Sequence, residues 1–350
     1  METIQLTPEQ VGVLCGNWYK AINTMDVEKS VTIKNELDLH IHKINSHKVK
    51  AFYELIRYRY DLFIENSKRV KKVNDWTPDD SITFYSLFFE AQDLFQKQYY
   101  SVALDVLKQA ISKLNVIEDD SEQAEFYFFY GQCLYRLDHY SEAEKNINKA
   151  INLYGNEEIF SEKKKNCLII IAAIASEQKE YLKAKSIYKD ALVGTKVNSR
   201  TFGFINRAMA LNESTVENFE QAVIHYEAAL TSREFAKTTA GGKAKIELSN
   251  LLYYLGRSNA ADLLDEGSEQ IELSYDKEYS RRAEIIYYLY QDYNDSEVEK
   301  QVNALIKEGF SFSAGEVAKD IARFHTKRGN MALAMKYTQV SYNQKMEVTV

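Results

Sequence analysis

Tyr140-Ser141-Glu142-Ala143-Glu144-Lys145-Asn146-Ile147-Asn148-Lys149-Ala150 is one copy of a recurring pattern. Its two alanines stand seven residues apart, and its tyrosine stands three before the first of them. The same spacing returns at Tyr100/Ala103/Ala110, Tyr181/Ala184/Ala191 and Phe219/Ala222/Ala229, and without the aromatic at Ala261/Ser268. Seven residues make two helical turns, so both small side chains lie on one face of one helix. Small residues there let a neighbouring helix approach closely. The aromatic fills the gap above the preceding turn.

The small-residue pairs recur every 38 to 41 residues, slightly longer than the roughly 34 of a tetratricopeptide hairpin. Such hairpins stack into a right-handed superhelix whose concave face binds other polypeptides. Composition agrees with an all-α chain. Only 2 prolines and 13 glycines occur in 350 residues, and both types break helices. The 25 tyrosines suit helix–helix packing with polar tips toward a groove. A net charge of -7 speaks against direct nucleic-acid binding driven by bulk electrostatics. Cys15, Cys133 and Cys167 are few and scattered, which argues for buried thiols in a reducing cytoplasm. Met1 to Val11 has neither the basic start nor the apolar run of a secretory leader. The most apolar stretch, Leu168 to Ala175, is far shorter than the roughly 20 residues that cross a bilayer. It predicts the buried first helix of a repeat, with no membrane partner.

Before the repeats the grammar differs. Thr7-Pro8-Glu9-Gln10 predicts a helix start, with Thr7 as N-cap and Gln10 closing a capping box. That helix should run to about Asn23, a second from Val27 to Ile44 and a third from Lys48 to Asn66. Asn45-Ser46-His47 is the break between the last two. The reading is a three-helix bundle over 1–70, a connector over 71–80 and a tetratricopeptide-repeat domain over 81–350. Ala240-Gly241-Gly242 reads as a turn between hairpins, and Gly329, Met331 and Ala334 as a worn last repeat.

Catalytic motifs are absent from the sequence: no phosphate-cradling glycine loop, nucleophile elbow or paired-cysteine motif. His40 and His42 point apart on a helix, so no metal site is expected from them. The acidic run Glu118 to Glu122 lacks the spacing of a calcium loop and is expected to cap the next helix.

Several segments are familiar together. Trp18-Tyr19-Lys20-Ala21-Ile22, Phe52-Tyr53-Glu54-Leu55-Ile56-Arg57-Tyr58-Arg59-Tyr60 and Ala124-Glu125-Phe126 occur in order. With the repeats, they make the chain resemble the Rap family, the response-regulator aspartate phosphatases of Bacillus and their non-phosphatase relatives. The resemblance implies that the bundle docks on a response regulator, here through Tyr53, Arg57 and Tyr60. It implies that the repeats bind a short Phr-type signalling peptide, which releases the regulator. In phosphatase members a glutamine before the third-helix motif orients water at the phospho-aspartate, while magnesium belongs to the regulator and the protein needs no cofactor of its own. That position falls on His47 here, or on Asn45 if the register slips by two. The family's peptide-binding asparagine matches Asn206 within Phe204-Ile205-Asn206-Arg207-Ala208, and Glu177 takes the place of its aspartate. Dephosphorylation of the regulator, docking without dephosphorylation, and a generic repeat scaffold all remain open on the sequence.

Overall fold

A computed structural model describes residues 6–24, 26–64 and 80–348. Among them every regular element is helical. Helix α1 (Pro8–Asn23) opens with Thr7 as N-cap and the complete capping box to Gln10. Helix α2 (Val27–His40) ends in a 3₁₀ turn at Ile41–Lys43, and α3 spans His47–Phe63. Their core forms around Trp18, which is fully buried with ring centroids 5.8 Å from Tyr53 and 5.3 Å from Tyr60.

Paired helices follow. They are α4 (Asp80–Gln96) with α5 (Tyr100–Ala110), α6 (Asp120–Arg136) with α7 (Tyr140–Tyr154), and α8 (Ser161–Glu177). Next come α9 (Tyr181–Leu192), then α10 (Arg200–Thr215) with α11 (Phe219–Thr231). A short α12 (Arg233–Ala236) leads to α13 (Thr239–Leu255) with α14 (Ala260–Ser274). The last pairs are α15 (Lys277–Tyr290) with α16 (Asp295–Lys307), and α17 (Ser311–Lys327) with α18 (Met331–Val348). Residues 1–179 and 180–350 make two compact units. In the first, one apolar core runs from Val11 through the phenylalanines of α4 and α6 to Ile174, so the N-terminal helices share their core with the hairpins. The connector expected over 71–80 lies, apart from Asp80, outside the described residues, as does the end of the third helix beyond residue 64.

The small-residue pattern does what its spacing implies. Ala103, Ala110, Ala143, Ala150, Ala184, Ala191, Ala222 and Ala229 are all fully buried. The repeat aromatics Tyr100, Tyr140, Tyr181 and Phe219 are each the first residue of a second helix. Asp119, within the acidic run, caps α6 by accepting from the backbone of Ser121 and Glu122. The three cysteines are buried and free.

Two expectations are corrected. The fifth pair is Ala260/Gly267, one residue earlier than Ala261/Ser268: Ala260 and Gly267 are buried, whereas Ala261 is exposed. A Cβ on Gly267 would lie 2.8 Å from Ile246 Cγ1 and 3.0 Å from the Gly242 carbonyl, so glycine is what lets α13 and α14 close. Gly241 and Gly242 lie inside the first turn of α13 rather than in a turn. A Cβ on Gly241 would sit 2.5 Å from the Phe235 carbonyl, which makes Gly241 a packing residue beneath α12, while one on Gly242 would meet Gln270 of α14 at 3.2 Å. The reversal itself is Ser232 to Thr238, both of which cap with their hydroxyls.

Candidate functional site

At the start of α3, Ser46 caps the helix: its hydroxyl accepts from the Val49 N–H and its carbonyl from the Lys50 N–H. Asn45 and His47 flank it, both exposed. Between α2 and α3 opens a cleft of about 590 Å³, with Lys34, Asp38, His42, Lys50, Tyr53 and Arg57 on its walls. Burial would raise the Asp38 carboxyl. Hydrogen bonds from Lys34 and Tyr53 outweigh that and hold it below the usual carboxylate range. Arg57 is partly exposed and 3.6 Å from Glu54. Tyr53 and Tyr60 are 4% and 5% exposed, so they are not the surface residues the sequence suggested. They stand seven apart on the face that meets Trp18, and only the rim of Tyr53 reaches the cleft.

Deeper in the same unit, Glu125 of α6 is buried among partners from three other helices. Lys163 Nζ lies 2.7 Å away, Arg59 4.0 Å away, and the Tyr154 hydroxyl donates to it. One turn earlier, Glu122 accepts from the Tyr85 hydroxyl, and burial pushes its carboxyl up to about 7. Charges taken out of water at such a place are costly unless paired. Here they tie α3 to the first helices of the hairpins. Glu177 closes α8 with its side chain exposed; burial and the Asp138 hydrogen bond raise the Tyr140 phenol, and the nearby Glu177 charge adds to them.

In the second unit Asn206 is 3% exposed and turned inward. Its Nδ2 donates to the Phe202 carbonyl at 3.0 Å, and its Oδ1 lies 3.3 Å from His225 Nδ1 of α11. Its amide is thus engaged within its own hairpin. The next residue, Arg207, reaches across the first helices instead. It grips Glu247 of α13 in a fork, Nε to Oε2 at 2.9 Å and Nη2 to Oε1 at 2.6 Å, and Nη2 also meets the Tyr279 hydroxyl at 3.0 Å.

Around the Tyr279 ring gather Lys243 at 4.5 Å and Arg282 at 5.0 Å, with Lys243 held by Asp276 at 2.6 Å. Further along, Asp320 of α17 pairs with Arg323 and accepts from Asn250 Nδ2 at 2.9 Å. Arg323 lies over the Phe219 ring and 3.4 Å from Glu217 in the turn between α10 and α11. Burial opposes the Arg207 charge, but Glu247 and Tyr279 keep its guanidinium firmly protonated. The first-helix face of this unit is therefore a polar, cation-rich surface rather than an apolar one. Sequence reading missed it, although charged residues recur there at nearly the repeat spacing, at Arg207, Glu247, Arg282 and Asp320.

These features match known proteins in the order the sequence suggests. Residues 5–65 match the profile of the N-terminal part of response regulator aspartate phosphatase H, and residues 77–201 that of the soluble NSF attachment protein, SNAP. Response regulator aspartate phosphatase H of Bacillus subtilis (strain 168) is 25% identical over 317 residues, covering 85% of this chain and 83% of that one. Over these stretches the chain is similar to the Rap family.

A second relative is described as Type II methyltransferase M.CeqI of Rhodococcus hoagii. It is 27% identical over 346 residues, covering 95% of this chain and 67% of that protein. The region shared on this side is the helical architecture described above. Among solved structures, a Rap protein complexed with competence and sporulation factor superposes with a TM-score of 0.82 at 18% identity, covering 98% of this chain and 99% of that one. That likeness establishes the fold.

Proposed function

We propose that the chain is a peptide-responsive regulator. It docks on a response regulator through its N-terminal helices and lets go when an extended peptide lies along the first-helix face of residues 180–350. The observation that carries this reading is the polar face itself. Half-buried Arg207, Lys243, Glu247 and Arg282 sit together on its inner helices, where desolvation is costly, and Arg282 has no carboxylate partner among the described residues to offset that cost. Such groups belong where a polar ligand meets them. The fold is shared with a Rap protein solved in complex with competence and sporulation factor, which supports a ligand-binding role for such a stack. Cytoplasmic location follows from the class of partner, and any magnesium belongs to the regulator.

On the regulator side, Arg57 and the α2–α3 cleft carry the docking surface in place of Tyr53 and Tyr60. We favour docking without efficient dephosphorylation. His47 stands where phosphatase relatives are implied to carry glutamine, and an imidazole has a different reach and donor geometry from a primary amide. The test is phosphate release from a panel of phosphorylated receiver domains by wild type, His47→Gln and Asn45→Ala. Slow release by wild type, accelerated in His47→Gln, is expected. Rapid release lost in Asn45→Ala would make Asn45 the working amide. Rapid release insensitive to both substitutions would remove this segment from the chemistry.

A further inference from the structure

Three arginines lie on the first-helix face of residues 180–350, and two are matched by carboxylates. Arg207 is forked to Glu247, and Arg323 is paired with Asp320. Arg282 differs. Its Nε donates to Ser313 Oγ at 2.7 Å, and its Nη1 lies 3.3 Å from the Tyr279 hydroxyl. Both partners are neutral. Among the described residues no carboxylate forms an ion pair with Arg282 within 4.0 Å. Glu278, Glu247 and Asp320 act on it only at longer range. Its Nη2 makes no hydrogen bond among the described residues and is not among the polar atoms sealed from solvent without a partner. The guanidinium is thus oriented by two hydroxyls, and its unpartnered Nη2 keeps contact with solvent.

A guanidinium fork matches a carboxylate in plane and spacing, and a side chain already fixed loses little freedom on pairing. The neighbouring cations do not compete for an incoming anion, since Lys243 already holds Asp276 and Arg207 holds Glu247. We propose that Arg282 receives a carboxylate of the peptide ligand. This rests on the peptide-responsive reading given above. The carboxylate is either the peptide's C-terminus or an Asp or Glu side chain, which are the same chemistry from two sources.

The probe is a synthetic hexapeptide pool made in two forms, with a free C-terminal carboxylate and with a C-terminal amide. Each is incubated with the full chain, and retained peptides are identified by mass spectrometry and titrated individually. Retained peptides should carry a carboxylate. Converting that group to an amide should weaken binding about tenfold or more to wild type, the scale of one charge-assisted pair. The same conversion should leave binding to Arg282→Gln nearly unchanged. Sensitivity to C-terminal amidation assigns the C-terminus, and sensitivity to Asp→Asn or Glu→Gln assigns a side chain. If Arg282→Gln does not melt cooperatively, Arg282→Lys carries the test: loss confined to carboxylate-bearing peptides supports the proposal, and uniform loss overturns it. Peptides that bind wild type equally as acid and amide would overturn the Arg282 assignment while leaving peptide binding intact. Retention of no peptide by wild type would overturn both.

Discussion

Glu122 sits in the first turn of α6 with the Tyr85 hydroxyl donating to it, its carboxyl raised by burial from 4.5 to about 7. The folded protein therefore binds this proton more tightly than the unfolded chain does. The stabilisation is complete below about pH 4.5 and is lost progressively as pH rises through about 7. Because Glu122 keeps some solvent contact, the loss is on the order of 1–3 kcal/mol. Urea midpoints of wild type and Glu122→Gln, taken from pH 5 to pH 8, should diverge in favour of the variant as pH rises. Parallel curves would contradict the assignment. Single residues were where sequence reading was weakest. Asn206 and Arg207 are neighbours, yet about 100° apart around a helix, so one turns into its own hairpin and the other across the face. Which of the two faces a ligand depends on the helix's rotation against its neighbours, which its own sequence does not state. Likewise Tyr53 and Tyr60 share a face by spacing, but only the position of Trp18 makes that face the inner one.

Elements were far more legible, because periodicity and caps act locally. The first helix follows the sequence reading from Thr7 to Asn23, and every second helix opens at its expected aromatic through Phe219. The fifth small-residue pair escaped because Ala260/Gly267 and Ala261/Ser268 satisfy the same spacing, and only the approach of Ile246 decides between them. A further regularity lay hidden in the turns. Two residues before each second-helix aromatic, Gln98, Asp138, Lys179 and Glu217 adopt left-handed φ of 66°, 61°, 65° and 61°. In the last hairpin, Gly329 takes the same place before Met331, with φ 76°. Left-handed backbone costs a side-chain-bearing residue about 1 kcal/mol. Gln98→Gly should thus stabilise the protein by about 0.5–1 kcal/mol. Gly329→Ala should destabilise it by about 1 kcal/mol, although open space surrounds its Cβ position. Thermal melts of the two variants should shift in opposite directions. Shifts of the same sign would mean that these turns are not set by backbone strain.

Across the whole molecule, repeat grammar and N-terminal motifs together led from sequence to family, since each reports contacts repeated many times along the chain. The polar face proposed to bind peptide was not legible in the same way. It is assembled from α10, α13, α15 and α17, whose charged residues Arg207, Glu247, Arg282 and Asp320 are 35 to 40 positions apart and share no motif. None of the described helices is long and apolar enough to cross a membrane. With the N-terminal helices proposed as a docking surface and the later hairpins as the peptide receiver, the two binding events must be linked. A ligand can shift such an equilibrium only by its differential affinity for the two states. The most direct measurement is interferometry of the full chain against a panel of receiver domains, with and without the hexapeptide pool. At least one receiver domain should bind the chain at micromolar or tighter affinity and dissociate when the pool is added. Absence of binding to every receiver domain, or binding that the pool leaves untouched, would contradict the account.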